Sequence, residues 1–491
     1  MSGQSMTTHG VLLGLLASSA ATGAAGAELL IGAATVDITP QRPVAVSGQF
    51  HLRIARKAET PVTAGVVALE SRRGEQSLDA AVMVSCDVVG IPTEVLRLVR
   101  EAVGTRAPGL DASKILLGAT HTHTAPVLRP GKYALPRKGV MQVEEYRALL
   151  VERVAKGIVS AWKNRKPGSV TWGLGHAVVA YNRRAAYADG TARMYGRTDT
   201  PAFRCLEGYE DHDVGVLLFR GAGGKPVAMA VNVSCPSQEV ESRSAINADF
   251  WHPVRQALRK RYGEELCVLG WTGAAGDQSP HLMYRKAADE RMRRLRGLTR
   301  LEEIARRVVR AVDEAVEAVK DDRHADVPLI HRVETVRLPM RLVTESEHAE
   351  AKAAVEQARA RIARDPKAAD RAHRRMKWYE VTVERYERQK AEAKPTLETE
   401  LHVLRIGNAV VCTNAFELFT DYGIRIKARS RAEQTFVVQL VGPGTYLPTA
   451  RAVRGGHYSA VVHSSLVGPE GGQVLVDRTV ALIDSLWPKR D

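Results

Sequence analysis

The chain has 491 residues, of which 45% are hydrophobic and 25% are charged, and these fractions exclude a wholly disordered, collagenous or polytopic membrane protein. Its formal net charge of +15 is compatible with a polyanionic partner. Acidic residues are interleaved with the basic ones in helical segments such as residues 285–310, however, and aromatic residues make up only 5%. Because no nucleic-acid-binding motif accompanies the charge, we expect no nucleic-acid partner.

The cysteines indicate no disulfide framework. There are five, scattered along the chain, and none forms a CxxC pair: Cys86, Cys205, Cys235, Cys267 and Cys412. A chain of this length buries a large core without disulfides. At roughly 150 residues per domain, either about three domains or one large domain with insertions is expected.

The N-terminus has the pattern of an export signal. Residues 11–27 read VLLGLLASSAATGAAGA, a short apolar run that ends in a signal-peptidase-like Ala-Gly-Ala. The run is too short to span a bilayer. We therefore predict a signal peptide over residues 1–27, a mature chain of residues 28–491 without a transmembrane segment, and a periplasmic or extracellular location.

Short Val-rich runs alternate with helical patterns, which favours an α/β fold. Two amphipathic helices are predicted over residues 93–106 and 143–165. After residue 394 strands are expected over residues 401–412 and 435–441. The earlier predicted strands cover residues 64–69, 80–89, 115–118, 170–181, 214–219, 227–233 and 266–271.

Residues 345–394 differ from the rest in composition. They are rich in Ala, Glu, Lys and Arg, lack Gly, and are interrupted at Asp365-Pro366. This pattern predicts a helical hairpin inserted into the domain. We expect it to be a surface elaboration that can be shortened without unfolding the core.

Two histidines follow a predicted strand in the segment GATHTHTAP, residues 118–126. The carboxyl ends of strands are where α/β folds build their sites. Residues two apart on an extended segment point the same way, so His121 and His123 are expected to enter one cleft. Imidazole binds zinc and moves protons, but a His-x-His pattern is often incidental.

Other segments with polar residues also follow strands. A Gly-rich turn spans residues 273–281 and matches neither a P-loop nor a G-x-S-x-G motif. Arg183 is suited to an oxyanion or to a salt bridge. Glu417 lies between apolar residues, where a buried carboxylate needs a partner such as a metal or a hydrogen-bond donor.

Together these segments resemble the neutral ceramidases, the zinc-dependent non-lysosomal amidases, as a divergent form of their N-terminal catalytic domain. The family's GTHTHS(G/A)P motif corresponds to residues 118–126, with Ala119 inserted and Thr124 in the place of Ser. The arginine loop corresponds to residues 182–184, the GDxSP loop to residues 276–280, and the tyrosine segment to residues 446–449 and 455–458. The resemblance implies a mixed-sheet α/β fold of the ceramidase type. It does not extend to the family's C-terminal β-sandwich, for which we expect no counterpart in this sequence.

The resemblance also implies roles for individual residues. It assigns zinc binding to His121, Glu417 and Tyr446. It assigns chemistry at the reacting amide to His123, and contacts with the substrate to Arg183 and Tyr458. A looser correspondence assigns the substrate site to Gly48 and to Ser279 of the GDxSP loop.

One departure concerns the metal. The family's second zinc histidine lies in a segment like N-x-x-C-H-P-T, but residues 232–239 read NVSCPSQE and contain no histidine. Cys235, Glu239, Asp249 or His252 is expected to replace it if a fourth ligand is present, with His252 slightly favoured. Otherwise the metal is weakly held, different or absent.

The sequence thus predicts a metal-dependent hydrolase that cleaves an N-acyl, ceramide-like amide in a small-molecule or lipid substrate. One alternative is an exported enzyme that acts on another substrate, such as a carbohydrate derivative. A second alternative is a binding protein that has lost its metal and kept the cleft.

Overall fold

Two β-sheets stacked face to face form the centre of the molecule. A computed structural model describes residue 1 and residues 27–365 and 369–488. The predicted signal peptide lies outside the described residues except for its two ends, and export stays a prediction. Within the described ranges, no helix combines the length and apolarity needed to cross a membrane.

The strands, in chain order, are β1 (Glu28–Asp37), β2 (Val44–Val46), β3 (Arg53–Ala55), β4 (Thr63–Arg73), β5 (Gln76–Cys86), β6 (Ile115–Ala119), β7 (Lys166–His176), β8 (Tyr181–Asn182), β9 (Arg184–Tyr187), β10 (Ala192–Met194), β11 (Phe203–Leu206), β12 (Asp213–Gly221), β13 (Pro226–Val233), β14 (Cys267–Thr272), β15 (Gln278–Ser279), β16 (Leu329–Pro339), β17 (Thr396–Ile406), β18 (Ala409–Thr413), β19 (Glu417–Leu418), β20 (Gln434–Val438) and β21 (Tyr446–Leu447). The α-helices are α1 (Thr93–Gly104), α2 (Val143–Lys163), α3 (Trp251–Tyr262), α4 (Lys286–Leu295), α5 (Arg300–Ala318), α6 (Glu345–Arg364), α7 (Ala369–Ala391), α8 (Thr420–Arg429), α9 (Ala450–Gly455) and α10 (Pro469–Asp484).

Both large sheets are mixed. The first has eight strands in the order β14-β13-β12-β7-β1-β4-β5-β6, and the second has four in the order β16-β17-β18-β20. The pairs β5–β6, β13–β14 and β18–β20 are parallel, and the other pairs of the two sheets are antiparallel. Parallel pairs are connected by crossovers that contain helices, which explains the alternation in the sequence.

Side chains alternate between the two faces of the first sheet, as the strand period of two requires. In β12, Val214, Val216 and Leu218 pack under helices, whereas Leu217 and Phe219 pack against the second sheet. Helices α1, α2, α3 and α5 cover the outer face of the first sheet, and α8 and α10 cover the second. The order of layers is therefore helix, sheet, sheet, helix.

Most sequence-predicted elements are present with shifted ends, and one predicted strand is wrong. Residues 401–412 form parts of two antiparallel strands, β17 and β18, which are joined by a tight turn. Gly407 in that turn has a φ of +62°, a conformation that favours glycine. The apolar residues on both sides of the turn concealed it.

The predicted helical hairpin is confirmed as an antiparallel pair, α6 and α7, but the expectation that it is only a surface elaboration is wrong. The N-terminal part of α7 packs on the core loops, where Trp378 meets Phe50 and His463 edge-on at centroid distances of 5.7 and 5.3 Å. The sequence did not reveal this contact because α7 is rich in charged residues along its whole length.

A buried arginine fixes the other end of α7 to the core. The Arg385 guanidinium donates to the carbonyl oxygens of Val462, Ser465 and Arg341 at 2.8, 3.1 and 2.6 Å. Burial lowers the pKa of Arg385 to about 10. These bonds satisfy carbonyl groups that the helix covers.

Replacing Arg385 with methionine should therefore lower the free energy of unfolding by about 2 kcal/mol, because buried carbonyl groups lose their donor. Arg388→Met is the matched control, since Arg388 lies one turn away, is exposed, and pairs with Glu392 on the same helix. Urea unfolding should show a change within about 0.5 kcal/mol for the control. Equal effects of the two substitutions would contradict the anchoring role of Arg385.

Candidate functional site

The carboxyl ends of the parallel strands in both sheets meet at one edge and form a cavity. His121 follows β6, Glu417 follows β18, and Tyr446 begins β21 after β20. The cavity has a volume of about 440 Å³, and His123 and Tyr458 also line it. This placement is the one expected for sites in α/β folds.

The His121 ring is oriented by the backbone. Its Nδ1 lies 2.5 Å from the carbonyl oxygen of Val89, so Nδ1 carries a proton and donates it. Its Nε2 then faces the Glu417 carboxylate, with 3.4 Å between Nε2 and Oε2. Either Nε2 carries a second proton and the two side chains form an ion pair, or a cation lies between two acceptors.

Both histidines enter the cavity, as predicted, but for a different reason. The segment is not extended at His121, which has a φ of +65°. The ring centroids of His121 and His123 lie 5.0 Å apart. A turn rather than the alternation of a strand therefore brings the two rings together.

Glu417 is a partly buried carboxylate held in its ionised form. Burial by itself raises the pKa of a carboxyl group, but the charges of His121 and Arg183 and hydrogen bonds from His121 and Tyr446 outweigh it and lower the pKa to about 2. Glu417 and Tyr446 are neighbours because β19 and β21 pair in parallel, with these two residues in register. Burial and the Glu417 charge raise the pKa of the Tyr446 phenol well above its usual value.

Arg183 does not line the cavity, but its hydrogen bonds connect several of the segments that surround it. Its guanidinium donates to Gly276 O at 2.9 Å and to the hydroxyls of Tyr195 and Tyr446 at 3.1 and 3.4 Å. It also donates to Oε1 of Gln238 at 3.1 Å. The Gly-rich turn after β14 thus contributes a backbone carbonyl that orients Arg183, not a phosphate cradle.

His123 has a partner at each ring nitrogen. Nδ1 lies 2.8 Å from Oε2 of Glu241, and Nε2 lies 2.9 Å from the Gln238 amide nitrogen. Because Arg183 fixes the oxygen of that amide, its nitrogen donates to His123, and Nε2 is an acceptor. Burial lowers the pKa of His123 to about 4 despite the bond to Glu241, so the imidazole is neutral at neutral pH.

Gln238 and Glu241 are the site residues that sequence reasoning missed. They follow β13, in the segment where the resemblance expects a zinc histidine, and Gln238 is the side chain from that segment that reaches His123. Sequence reasoning considered metal ligands there, and an amide is a poor one. A search of the same loop for a carboxylate to orient His123 would have identified Glu241.

Two of the expected replacement ligands point elsewhere. The Cys235 thiol lies 3.6 Å from the carbonyl oxygen of Val179, and burial raises its pKa well above the usual value. The Glu239 carboxylate accepts from Arg300. The Cys235 thiol and Oε1 of Glu239 are therefore engaged in contacts away from the cavity, and neither residue lines it.

Asp249 and His252, the other two expected replacement ligands, do not line the cavity either. Asp249 accepts backbone N–H bonds from Val240 and Phe250 at 2.9 and 2.8 Å, and His252 lies in the first turn of α3. Among the described residues, no group of three or more His, Cys, Asp or Glu side chains is arranged to hold a metal. None of the four side chains lines the cavity, and the replacement of the missing histidine by one of them stays a prediction.

Tyr458 and Gly48 lie on the cavity wall, as predicted, whereas Ser279 does not. The Tyr458 ring meets the Tyr446 ring edge-on at 5.5 Å, and burial, with the Glu417 charge, raises the pKa of Tyr458 to about 12. Ser279 is fully buried in β15, where its hydroxyl accepts the N–H of His281 at 3.0 Å. The structure does not bring Ser279 to the cavity.

The spacing of His121 and Glu417 matches that of two ligands on one zinc ion. Two donors bonded to one tetrahedral zinc at about 2.0–2.2 Å lie roughly 3.4 Å apart, which is the separation of His121 Nε2 and Glu417 Oε2. The Val89 carbonyl on the other nitrogen of His121 is a typical partner of a metal-bound histidine. The separation of His121 Nε2 and Glu417 Oε2 therefore fits a metal, whereas the Tyr446 hydroxyl is engaged by Arg183 at 3.4 Å.

Gly48 is expected to be required for the position of His123. A Cβ on Gly48 would lie 2.5 Å from Cβ and Cγ of His123. Gly48→Ala should therefore lower the free energy of unfolding by about 2 kcal/mol more than Gly74→Ala, because overpacking adds to the backbone strain. Gly74 is the matched control, since it also has a positive φ but open space around it.

The measurement is urea unfolding of the two variants. Indistinguishable losses of stability would show that the loop moves aside and that Gly48 does not constrain His123.

Comparisons with known proteins support the ceramidase-type fold. No protein-family model matches the chain, and no curated protein sequence matches it. Among solved structures, a ceramidase complexed with C2 superposes with a TM-score of 0.65 at 16% identity, over 95% of this chain and 77% of that one. The neutral ceramidase from Pseudomonas aeruginosa superposes with a TM-score of 0.64 at 18% identity, over 95% of this chain and 76% of that one. The predicted fold class, a mixed-sheet α/β domain of the ceramidase type, is confirmed.

Proposed function

We propose that this protein is a metal-dependent hydrolase that cleaves an N-acyl amide into an acid and an amine. The observation that carries the proposal is the approach of two side chains in the cavity, with 3.4 Å between His121 Nε2 and Glu417 Oε2. The structural neighbours named above are ceramidases, and this supports amide hydrolysis as the reaction class.

His121, Glu417 and Tyr446 would hold the metal, with zinc as the proposed ion. When bound, such an ion lowers the pKa of a coordinated water and polarises a carbonyl group. Tyr446 enters the site as a neutral phenol, because its pKa is raised. Many catalytic zinc sites have three His or carboxylate ligands, whereas this set has two, and its third member is a phenol.

His123 is the proposed general base. Its neutral imidazole has a lone pair at Nε2 and is oriented by Glu241 through Nδ1, which is the arrangement that a proton acceptor requires. Glu241 is held ionised, since the His123 contact outweighs burial and lowers its pKa to about 2. It therefore stabilises the imidazolium once His123 has taken a proton.

Gln238 must release His123 for this step. Its amide occupies Nε2 of His123 while its oxygen stays on Arg183. A rotation of the side chain frees Nε2 without breaking the core, because Arg183 keeps three other acceptors. Tyr458 also lines the cavity, and it is the proposed hydrogen-bond donor to the substrate oxygen, where negative charge develops.

A non-catalytic binding protein is the second candidate, and the contact between Gln238 and His123 favours it. An amide that permanently occupies Nε2 leaves His123 without a free base. The cavity, the aromatic wall and the buried charges would then serve ligand binding alone.

The test is zinc content and amide hydrolysis in the same set of variants. Metal-stripped protein dialysed against zinc should retain about one ion per chain and release octanoate from N-octanoylethanolamine or from N-octanoylglycine. His121→Ala and Glu417→Gln should lose both properties. His123→Ala should keep the zinc and lose roughly 10²–10⁴-fold in kcat.

Cys235→Ala and His252→Ala are the controls, and both should keep zinc and turnover because neither side chain reaches the cavity. Zinc retention in His121→Ala would show that the metal lies elsewhere. If the wild-type protein binds the amides but releases no octanoate with any divalent metal, the binding protein is the correct function.

A further inference from the structure

The wall of the cavity above Glu417 is strongly basic. Four cations line it, Arg129, Lys132, Arg374 and Lys377, and among the described residues of the lining Glu417 is the one acid. A cleft lined by one sign of charge concentrates ligands of the opposite sign. The excess is local and does not simply reflect the net charge of the chain, whose exposed helices balance basic residues with acidic ones.

Three of these cations have no carboxylate partner in the described part of the chain. Arg129 donates to the carbonyl oxygen of Pro443 at 2.6 Å, and the Lys132 ammonium donates to the Ser47 hydroxyl at 2.9 Å. The Arg374 guanidinium lies over the Phe50 ring, 4.9 Å from its centroid, and its buried Nε has no acceptor. Lys377 differs, since it pairs with Glu380 on its own helix.

The three cations are close enough to repel one another. Burial, together with the charges of Arg374 and Arg129, lowers the pKa of Lys132 to about 7. Burial and the Arg374 charge lower the pKa of Arg129 as well. The negative charge of Glu417 raises the pKa of Lys132 and that of Arg129. The basic wall therefore lies within electrostatic reach of the proposed reaction centre.

The helical hairpin supplies one of these charges, that of Arg374. Arg374 is on α7, whose start is fixed by two bonds: Asp370 accepts the backbone N–H of Leu52, and His373 Nε2 donates to Gly131 O at 3.2 Å. Trp378, one turn after Arg374, packs on Phe50. The hairpin therefore holds a guanidinium over the cavity at a defined position, and this gives the insert a function in ligand selection.

We propose that the ligand of this cavity carries an anionic group, a carboxylate, sulfonate or phosphate, which binds Arg129, Lys132 and Arg374 while its amide lies at His121 and Glu417. The assignment of an amide at that end rests on the proposed function. The anionic group supplies the negative charge that the wall lacks. A cavity of about 440 Å³ is within the usual range for a small-molecule site.

The test compares ligands that differ only in charge. Isothermal titration should give at least a tenfold lower Kd for N-octanoylglycine than for N-octanoylglycinamide, its neutral isostere. N-octanoyltaurine and N-octanoylphosphoethanolamine, compared with N-octanoylethanolamine, identify which anionic group binds best. Raising NaCl from 20 to 500 mM should reduce the preference, since salt screens the charges.

Arg374→Gln should remove most of the preference, whereas Arg388→Gln, the same charge change on an exposed face of α7, should keep it. Arg129→Gln is the second variant, in case Arg374→Gln does not fold. Equal binding of the neutral isosteres, or a preference that survives both Arg129→Gln and Arg374→Gln, overturns the proposal. A preference lost equally in Arg388→Gln overturns it too, because net charge alone would then explain it.

The failure of this proposal is distinguishable from the failure of the proposed function. Preferential binding of the anionic compounds without octanoate release supports the anion site and contradicts hydrolysis. Hydrolysis with equal kcat/KM for N-octanoylglycine and N-octanoylglycinamide supports amide hydrolysis and overturns the anion site.

Discussion

The burial of one ionised carboxylate, Glu417, at the edge where the two sheets meet constrains the rest of the site. A carboxylate that is partly withdrawn from water in that position needs partners that stabilise its charge. Three partners stabilise it: the Arg183 charge, the Tyr446 phenol, and the positive charge at His121, which is either a proton on Nε2 or a bound cation. Each partner comes from a different element, so the positions of β6, β8 and β21 around Glu417 are energetically linked.

The second sheet makes this arrangement possible. Glu417 and Tyr446 belong to the part of the chain around β18 to β21, whereas the two histidines, Arg183 and Gln238 belong to loops of the first sheet. The packing of Leu217 and Phe219 against Phe436 and its neighbours holds the two sheets together. The site is therefore as rigid as that apolar interface, and the hairpin adds a basic wall on top of it.

The sequence predicted the strand and helix pattern well because apolar periodicity is a local property. The alternation argument placed His121 and His123 in one cleft, and the resemblance to neutral ceramidases added Glu417 and Tyr446. The sequence-based predictions failed where the position or role of a side chain depends on contacts with residues far away in the sequence. Gln238 was overlooked because its importance comes from Arg183 and His123, which no local pattern connects to it. The hairpin was misjudged since Trp378 and Arg385 are ordinary residues of a charged helix until their partners are known.

The central claim is that His121 Nε2 and Glu417 Oε2 face each other across a cation. The most direct measurement is a crystal structure of zinc-dialysed protein with anomalous data collected on both sides of the zinc absorption edge. The account predicts an anomalous peak about 2.0–2.2 Å from both atoms. The absence of a peak, with the two side chains in a direct hydrogen bond, would contradict it.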